Sequence, residues 1–104
     1  MFRKKDTYEE WVLHALVNLD GRANLIEVTK EIWRLYGESI EASGRGFYTW
    51  QYDLRWGASS LRKGGYLKQA NETRRRGVWE LVPDFDMDDY YNDKQILYDA
   101  SPYS

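Results

Sequence analysis

The chain has 104 residues, a hydrophobic fraction of 42%, a formal net charge of −2, no cysteine and one histidine, His14. This length suits a single domain. The absence of cysteine excludes a disulfide framework and a thiolate metal site, and the single histidine argues against a multi-histidine metal site or a conventional Ser-His-Asp triad within the chain. No apolar run approaches the roughly 20 residues of a membrane span, and residues 1–6 lack the apolar stretch of a signal peptide. We therefore expect a cytoplasmic protein that uses no cofactor or metal and has no catalytic activity.

Two amphipathic helices are predicted in the first third of the chain. The first runs over about residues 8–19 with Thr7 as its N-cap, and the second over about 25–36 with Asn24 and the glutamate three positions later as a capping pair. Gly37 is expected to end the second helix. Their apolar residues recur at helical spacing: Trp11, Val12, Ala15, Leu16 and Leu19 in the first, and Leu25, Val28, Ile32, Leu35 and Tyr36 in the second.

A loop over 37–48 and a third helix over about 50–63 follow. Thr49 is the candidate N-cap of this helix, and its predicted buried stripe consists of Trp50, Leu54, Ala58 and Leu61. Gly57 lies inside the helix, where glycine costs about 1 kcal/mol relative to alanine. A close approach of another backbone at Gly57 is the expected reason.

A β-hairpin is predicted after the third helix. Two short strands over 66–69 and 77–82 flank a polar turn, and residues 22–24 are a candidate extended piece between the first two helices. Residues 83–104 are acidic and rich in tyrosine, with six aspartates and one lysine. The predicted organisation is thus a domain over 1–82 followed by a tail that is disordered or partly docked, with a short helix over 92–98 as one alternative.

This order of elements predicts an α+β fold, a winged helix-turn-helix with three helices and a C-terminal two-stranded hairpin as its wing. The third helix presents Gln51, Arg55, Ser59 and Arg62 on one face at spacings of four, four and three, with Lys63 beside them. An α-helix fits the DNA major groove, where arginine pairs with guanine and glutamine with adenine. The three arginines at the hairpin tip would reach phosphates or the minor groove: Arg74, Arg75 and Arg76.

A solvated helix face and a soluble loop are the alternative interpretations of these basic residues. The segment from Arg45 to Trp79 nevertheless carries a net charge of +6, so the acidic balance of the whole chain does not argue against a nucleic-acid site. The five tryptophans are expected to fill the core, and Trp56 is the one for which base stacking stays open.

Two stretches carry a resemblance to a known family. Residues 53–67 (DLRWGASSLRKGGYL) and 75–81 (RRGVWEL) resemble the N-terminal domain of Mrr-type restriction proteins, and the similarity extends over roughly 8–82. That resemblance implies a winged helix that binds DNA in defence against foreign or modified DNA. The nuclease domain of the family has no counterpart in these 104 residues, so cleavage is not expected.

The sequence therefore predicts a small non-catalytic protein that binds double-stranded DNA, as a transcriptional regulator or as the recognition module of a defence system. The alternative is a protein-interaction module, or a phage-type inhibitor, that binds a protein partner through its winged helix and acidic tail. The tail has three open roles, namely autoinhibition, partner binding and solubility. A homodimer is a further alternative to the monomer, since many winged helices pair their recognition helices.

Overall fold

A computed structural model describes residues 5–69 and 77–99 of the chain. Within them the protein is α+β, as predicted, with helices and an antiparallel two-stranded sheet. In chain order the elements are α1 (Lys5–Asn18), β1 (Arg22–Asn24), α2 (Leu25–Glu41), α3 (Gly46–Lys63), β2 (Val78–Glu80) and α4 (Met87–Asp99). None of the helices in these ranges is both long enough and apolar enough to cross a bilayer.

Helix α1 begins earlier than predicted. It includes Lys5, so Thr7 lies inside the helix and its assignment as N-cap is wrong; no Gly or Pro interrupts the helical pattern upstream of it. The predicted stop is confirmed, because α1 ends at Asn18 and the chain then turns through Asp20 and Gly21, both with positive φ. Glycine adopts that backbone conformation without a steric penalty.

Helix α2 has the predicted start and a later end. The Asn24 side chain accepts a hydrogen bond from the Glu27 backbone N–H at 2.8 Å, and the Glu27 carboxylate accepts one from the Asn24 N–H at 3.1 Å, which confirms the capping pair. Gly37 does not end the helix: α2 continues for another turn, which buries Ile40 completely. The prediction that Leu35 is a core residue is wrong, since its side chain is exposed.

Helix α3 begins four residues before the predicted start. The turn from α2 includes Gly44 with φ of 63°, which lets the chain reverse early enough for α3 to start at Gly46. Thr49 therefore lies in the first helical turns and is not the N-cap; its hydroxyl donates to the Asp53 carboxylate at 3.0 Å. Gly64 and Gly65 follow the helix as predicted, and Gly65 has positive φ.

The sheet joins β1, which precedes α2, to β2, which follows α3. β1 pairs with β2 so that Ala23 lies opposite Trp79, which confirms the extended piece at 22–24. On the other side of β2, Leu67 pairs with Leu81 in a β-bridge, and the Lys68 N–H donates to the Glu80 carbonyl at 2.8 Å. The predicted strand over 66–69 is thus reduced to a single bridge, the predicted strand over 77–82 is reduced to β2, and the hairpin tip over 70–76 lies outside the described residues.

The core lies between α1, α2, α3 and the sheet. It contains the predicted stripe of α3, the predicted stripe of α1 except Leu19, which is partly buried, and three residues of α2, together with residues from the rest of the fold: Val28, Ile32 and Ile40 of α2, and Ala23, Leu67, Trp79 and Tyr90. The close approach expected at Gly57 is confirmed: a Cβ placed there would lie 3.1 Å from the Tyr8 carbonyl carbon and 3.2 Å from the Glu9 nitrogen. Glycine thereby lets the backbones of α1 and α3 cross in direct contact.

The acidic segment contains a longer helix than the one considered from the sequence. The Asp86 side chain accepts a hydrogen bond from the Asp88 N–H at 2.8 Å, which caps the start of α4. Asp88 and Asp89 occupy its first turn, where the helix dipole favours negative charge. Tyr90 is completely buried, so this part of the segment contributes to the same core as α1 and α3.

Candidate nucleic-acid interface

The predicted polar residues of α3 lie together along one side of the helix. We call Gln51, Arg55, Ser59 and Arg62 the polar face; their spacing brings them to one stripe of α3. Gln51 and Arg55 are exposed, and Ser59 and Arg62 are half-buried. Lys63 is exposed at the edge of this stripe. The three tip arginines, Arg74, Arg75 and Arg76, lie outside the described residues.

Arg62 differs from Arg55 in its surroundings. Its Nε is buried and has no hydrogen-bond partner among residues 5–69 and 77–99, while its carbonyl accepts a hydrogen bond from the Gln69 amide at 3.1 Å. The backbone of Arg62 is therefore hydrogen-bonded to the segment that leads to the hairpin tip. Arg55 is the residue of the polar face whose charged group is presented most openly to solvent.

An exposed row of aromatic side chains runs beside the polar face, and the sequence analysis recognised it only at Trp56. Tyr48 is 85% exposed, Tyr52 64% and Trp56 63%. They are spaced four residues apart, and the Tyr52 and Trp56 rings meet edge to face at 6.4 Å. Helical spacing of bulky apolar residues that continues outside the buried stripe was the signal that could have located this row.

The tryptophans divide between the core and the surface. Trp11, Trp50 and Trp79 are buried as predicted. Trp33 is 40% exposed, so its assignment to the core is wrong; one face of its ring stacks on Trp50 at 5.9 Å, and its edge covers Gly37. The small residue one turn later thus lets Trp33 pack along the surface of α2.

A buried carboxylate lies on the other side of α3. Glu9 of α1 is 3% exposed and accepts hydrogen bonds from Ser60 at 2.8 Å and from the Tyr90 hydroxyl at 3.0 Å. The Lys94 ammonium lies 3.0 Å from its Oε1 atom. We call these four residues the Glu9 cluster. A buried charge needs such partners, and here they join α1, α3 and α4.

Two further side-chain contacts tie α4 to the rest of the protein. The Tyr66 hydroxyl donates to the Asp93 carboxylate at 2.6 Å, and partial burial, followed by this hydrogen bond, raises the pKa of Tyr66 to about 12. His14 of α1 bonds to the hydroxyls of Tyr36 and Tyr91 through its two ring nitrogens. These two contacts of His14 were not predicted from the sequence.

An open groove lies between the start of α1 and the length of α3, closed at one end by the turn between α2 and α3. Its volume is about 970 Å³. Asp53, Trp56 and Lys63 lie along its α3 wall, and Arg45 lies at the end formed by the turn. In the parts of the chain that the structure describes, no cluster of three or more His, Asp or Glu residues could hold a metal ion.

Models of known protein families, curated protein sequences and solved structures give no match to this chain. The resemblance to the N-terminal domain of Mrr-type proteins therefore stays a prediction from the sequence.

Proposed function

We propose that this protein is a winged helix that binds double-stranded DNA, with α3 as its recognition helix and the segment between Leu67 and Val78 as its wing. The order of α1, β1, α2, α3 and the paired strands supports this arrangement. So does the short turn that joins α2 to α3 and sets the N-terminal end of α3 against the bundle. A helix supported in this way can enter a major groove of about 12 Å width.

The observation that carries the proposal is the exposure of Gln51 and Arg55 on the polar face of α3. Gln51 and Arg55 combine an amide and a guanidinium on adjacent turns, the groups that pair with adenine and guanine edges. The aromatic row beside them supplies apolar contacts for thymine methyl groups. No catalytic step is part of the proposal. Regulation of transcription and target recognition in a defence system are the two roles that such binding would serve in the cytoplasm.

Anisotropy of a labelled duplex at several salt concentrations tests the proposal. We expect affinity to fall steeply with salt, with a slope of about −0.9 for each phosphate contacted. Arg55→Ala is expected to cost about 1–3 kcal/mol and to relax preference at one base pair. Arg34→Ala is the matched control, because the Arg34 guanidinium is paired with Glu31 at 2.6 Å on α2. Folded protein that does not bind duplex at low salt would contradict the proposal.

The wing arginines provide a second comparison. Arg75→Ala is expected to weaken binding to all duplex sequences by similar amounts and to reduce the salt slope by about one unit, because phosphate contacts carry no sequence information. If Arg55→Ala also weakens all sequences equally, α3 positions the protein on DNA without reading bases.

One observation favours a second candidate, a module that binds a basic protein partner. Asp84, Asp86, Asp88 and Asp89 are all exposed around the start of α4. This candidate predicts salt-sensitive binding of an oligolysine peptide that is lost when the four residues are replaced by asparagine. Equal peptide binding by both forms would contradict it.

A further inference from the structure

The groove between α1 and α3 holds a second set of polar and aromatic groups, next to the polar face of α3. Asp53, Trp56 and Lys63 follow one another along its α3 wall, with Ser60 between the last two. Along an α-helix, Trp56 lies about 4.5 Å and Lys63 about 15 Å beyond Asp53. The groove thus presents a carboxylate, an aromatic ring, a hydroxyl and an ammonium group in that order.

The geometry points to a nucleotide as the ligand of this groove. Its base would stack on Trp56, whose indole is exposed, and an amino group on the base edge would donate to Asp53. Its sugar would lie beside Ser60, and its phosphate would contact Lys63. Each of these pairings joins groups of complementary chemistry.

Asp53 is held ready for such a donor. Its Oδ2 atom accepts the Thr49 hydroxyl at 3.0 Å, which orients the carboxylate and uses one of its roughly four acceptor positions. Glu9, the other carboxylate of the groove, is already bound by Ser60, Tyr90 and Lys94. A base donor would therefore bind at Asp53. Adenine, cytosine and guanine carry amino groups that suit a carboxylate, whereas thymine offers only its ring N–H.

The size of the groove fits the proposal. A volume of about 970 Å³ lies at the upper end of the range for small-molecule sites. Gly57 forms the floor where α1 crosses α3, so the Trp56 ring stands at the side of an open trough. Two sources of nucleotide share this chemistry, namely a free nucleotide and an unpaired nucleotide in DNA.

Titration of the protein with free nucleotides is the first test. The indole N–H signal of Trp56 is identified by its loss in Trp56→Phe, and we expect it to shift saturably with deoxyadenosine monophosphate. Deoxyribose 5-phosphate, which has no base to stack, is expected to bind at least tenfold more weakly. Thymidine monophosphate is expected to bind less tightly than the adenine nucleotide.

Variants separate the three contacts. Asp53→Asn is expected to remove the preference for adenine over thymine, and Glu38→Gln, an exposed change on α2, is the matched control that keeps it. Lys63→Gln is expected to weaken the binding of deoxyadenosine monophosphate but not the binding of deoxyadenosine, which has no phosphate. Trp56→Ala is expected to bind either ligand at least tenfold more weakly, measured by titration calorimetry because this variant lacks the indole signal. Thermal unfolding verifies that each variant is folded.

A duplex with one unpaired adenine distinguishes the two sources. Tighter binding than the fully paired duplex, lost in Trp56→Ala and in Asp53→Asn, assigns the groove to unpaired nucleotides in DNA. Binding of the free nucleotide without that gain assigns it to free nucleotides. The inference is overturned by two results together: no free nucleotide shifts the Trp56 indole signal, and the unpaired adenine produces no gain in duplex affinity that these variants remove. Paired-duplex affinity and its response to Arg55→Ala decide the proposed function separately.

Discussion

The two sides of α3 use polar groups in different ways. On the side facing α1 and α4, the Glu9 carboxylate is almost completely buried and three donors surround it. On the polar face, Gln51 and Arg55 are exposed. The comparison indicates that the Glu9 cluster stabilises the fold, whereas Gln51 and Arg55 are available to a partner. Stability and binding can therefore be changed independently.

The largest loss of stability is expected when Tyr90, the completely buried tyrosine of α4, is removed. Tyr90→Ala removes a completely buried ring and one donor to Glu9, and we expect the free energy of unfolding to fall by about 3–5 kcal/mol. Urea unfolding followed by circular dichroism measures it. Tyr91→Ala, at a neighbouring exposed tyrosine, should cost about 1 kcal/mol or less; equal losses would mean that α4 does not dock as described.

A smaller loss is expected when the buried charge alone is removed. Glu9→Gln keeps the size of the side chain but removes the charge opposite Lys94 at 3.0 Å. Hydrogen bonds to charged groups contribute about 1.5–3 kcal/mol, so the free energy of unfolding should fall by a similar amount. Glu10→Gln is the control, because the hydrogen bond that Glu10 accepts within residues 5–69 and 77–99 is a long one, 3.5 Å from the Tyr91 hydroxyl. An equally large fall in the free energy of unfolding for Glu10→Gln would show that the effect comes from general surface charge and not from the Glu9 cluster.

Two glycines inside helices are expected to respond in opposite directions. At Gly57 an added Cβ meets the backbone of α1 at 3.1–3.2 Å, whereas at Gly37 it meets the Trp33 ring at 3.4 Å. Alanine gains about 1 kcal/mol of helix propensity at either site. We expect Gly37→Ala to stabilise the protein and Gly57→Ala to destabilise it by about 1 kcal/mol, because α1 must move away. Stabilisation by both changes in thermal unfolding would contradict a tight crossing.

The smallest effect on stability is expected on the exposed side. Arg55→Gln should change the free energy of unfolding by about 0.5 kcal/mol or less, since exposed side chains without buried contacts contribute little. The same urea experiment measures it, with Tyr90→Ala as the reference for a large effect. A loss above about 1 kcal/mol would place Arg55 among the structural residues and remove the basis of the comparison.

Local signals in the sequence located most of the elements and half of their boundaries. The Asn24 capping pair, Gly21 and the Gly64–Gly65 pair act through neighbouring residues, so the sequence shows them directly. The predictions based on Gly37 and Thr49 were wrong, because features of the fold beyond the adjacent residues override the local signal at both positions. Burial of Ile40 outweighs the cost of glycine in α2, and the turn at Gly44 starts α3 before Thr49 is reached.

The polar face of the candidate site could also be predicted, because residues spaced four, four and three along a helix share one side whatever the helix packs against. The groove between α1 and α3 could not be predicted from the sequence. It exists only because Gly57 lets α1 approach α3, and Asp53 lies in it because the opposite side of α3 is buried. Its walls come from α1 and α3, which meet at Tyr8 and Gly57, 49 residues apart in the chain.

The sequence by itself determined the class of fold, the order of α1, α2 and α3, and the stripe of polar residues on α3, since each depends on the periodicity of neighbouring residues. Tertiary structure alone decided the place of the acidic segment. Its aspartates and tyrosines suit a solvated tail as well as a helix. Burial of Tyr90 beside Glu9, 81 residues away, supplies the apolar and hydrogen-bonding contacts that dock α4, and no local pattern encodes that pairing.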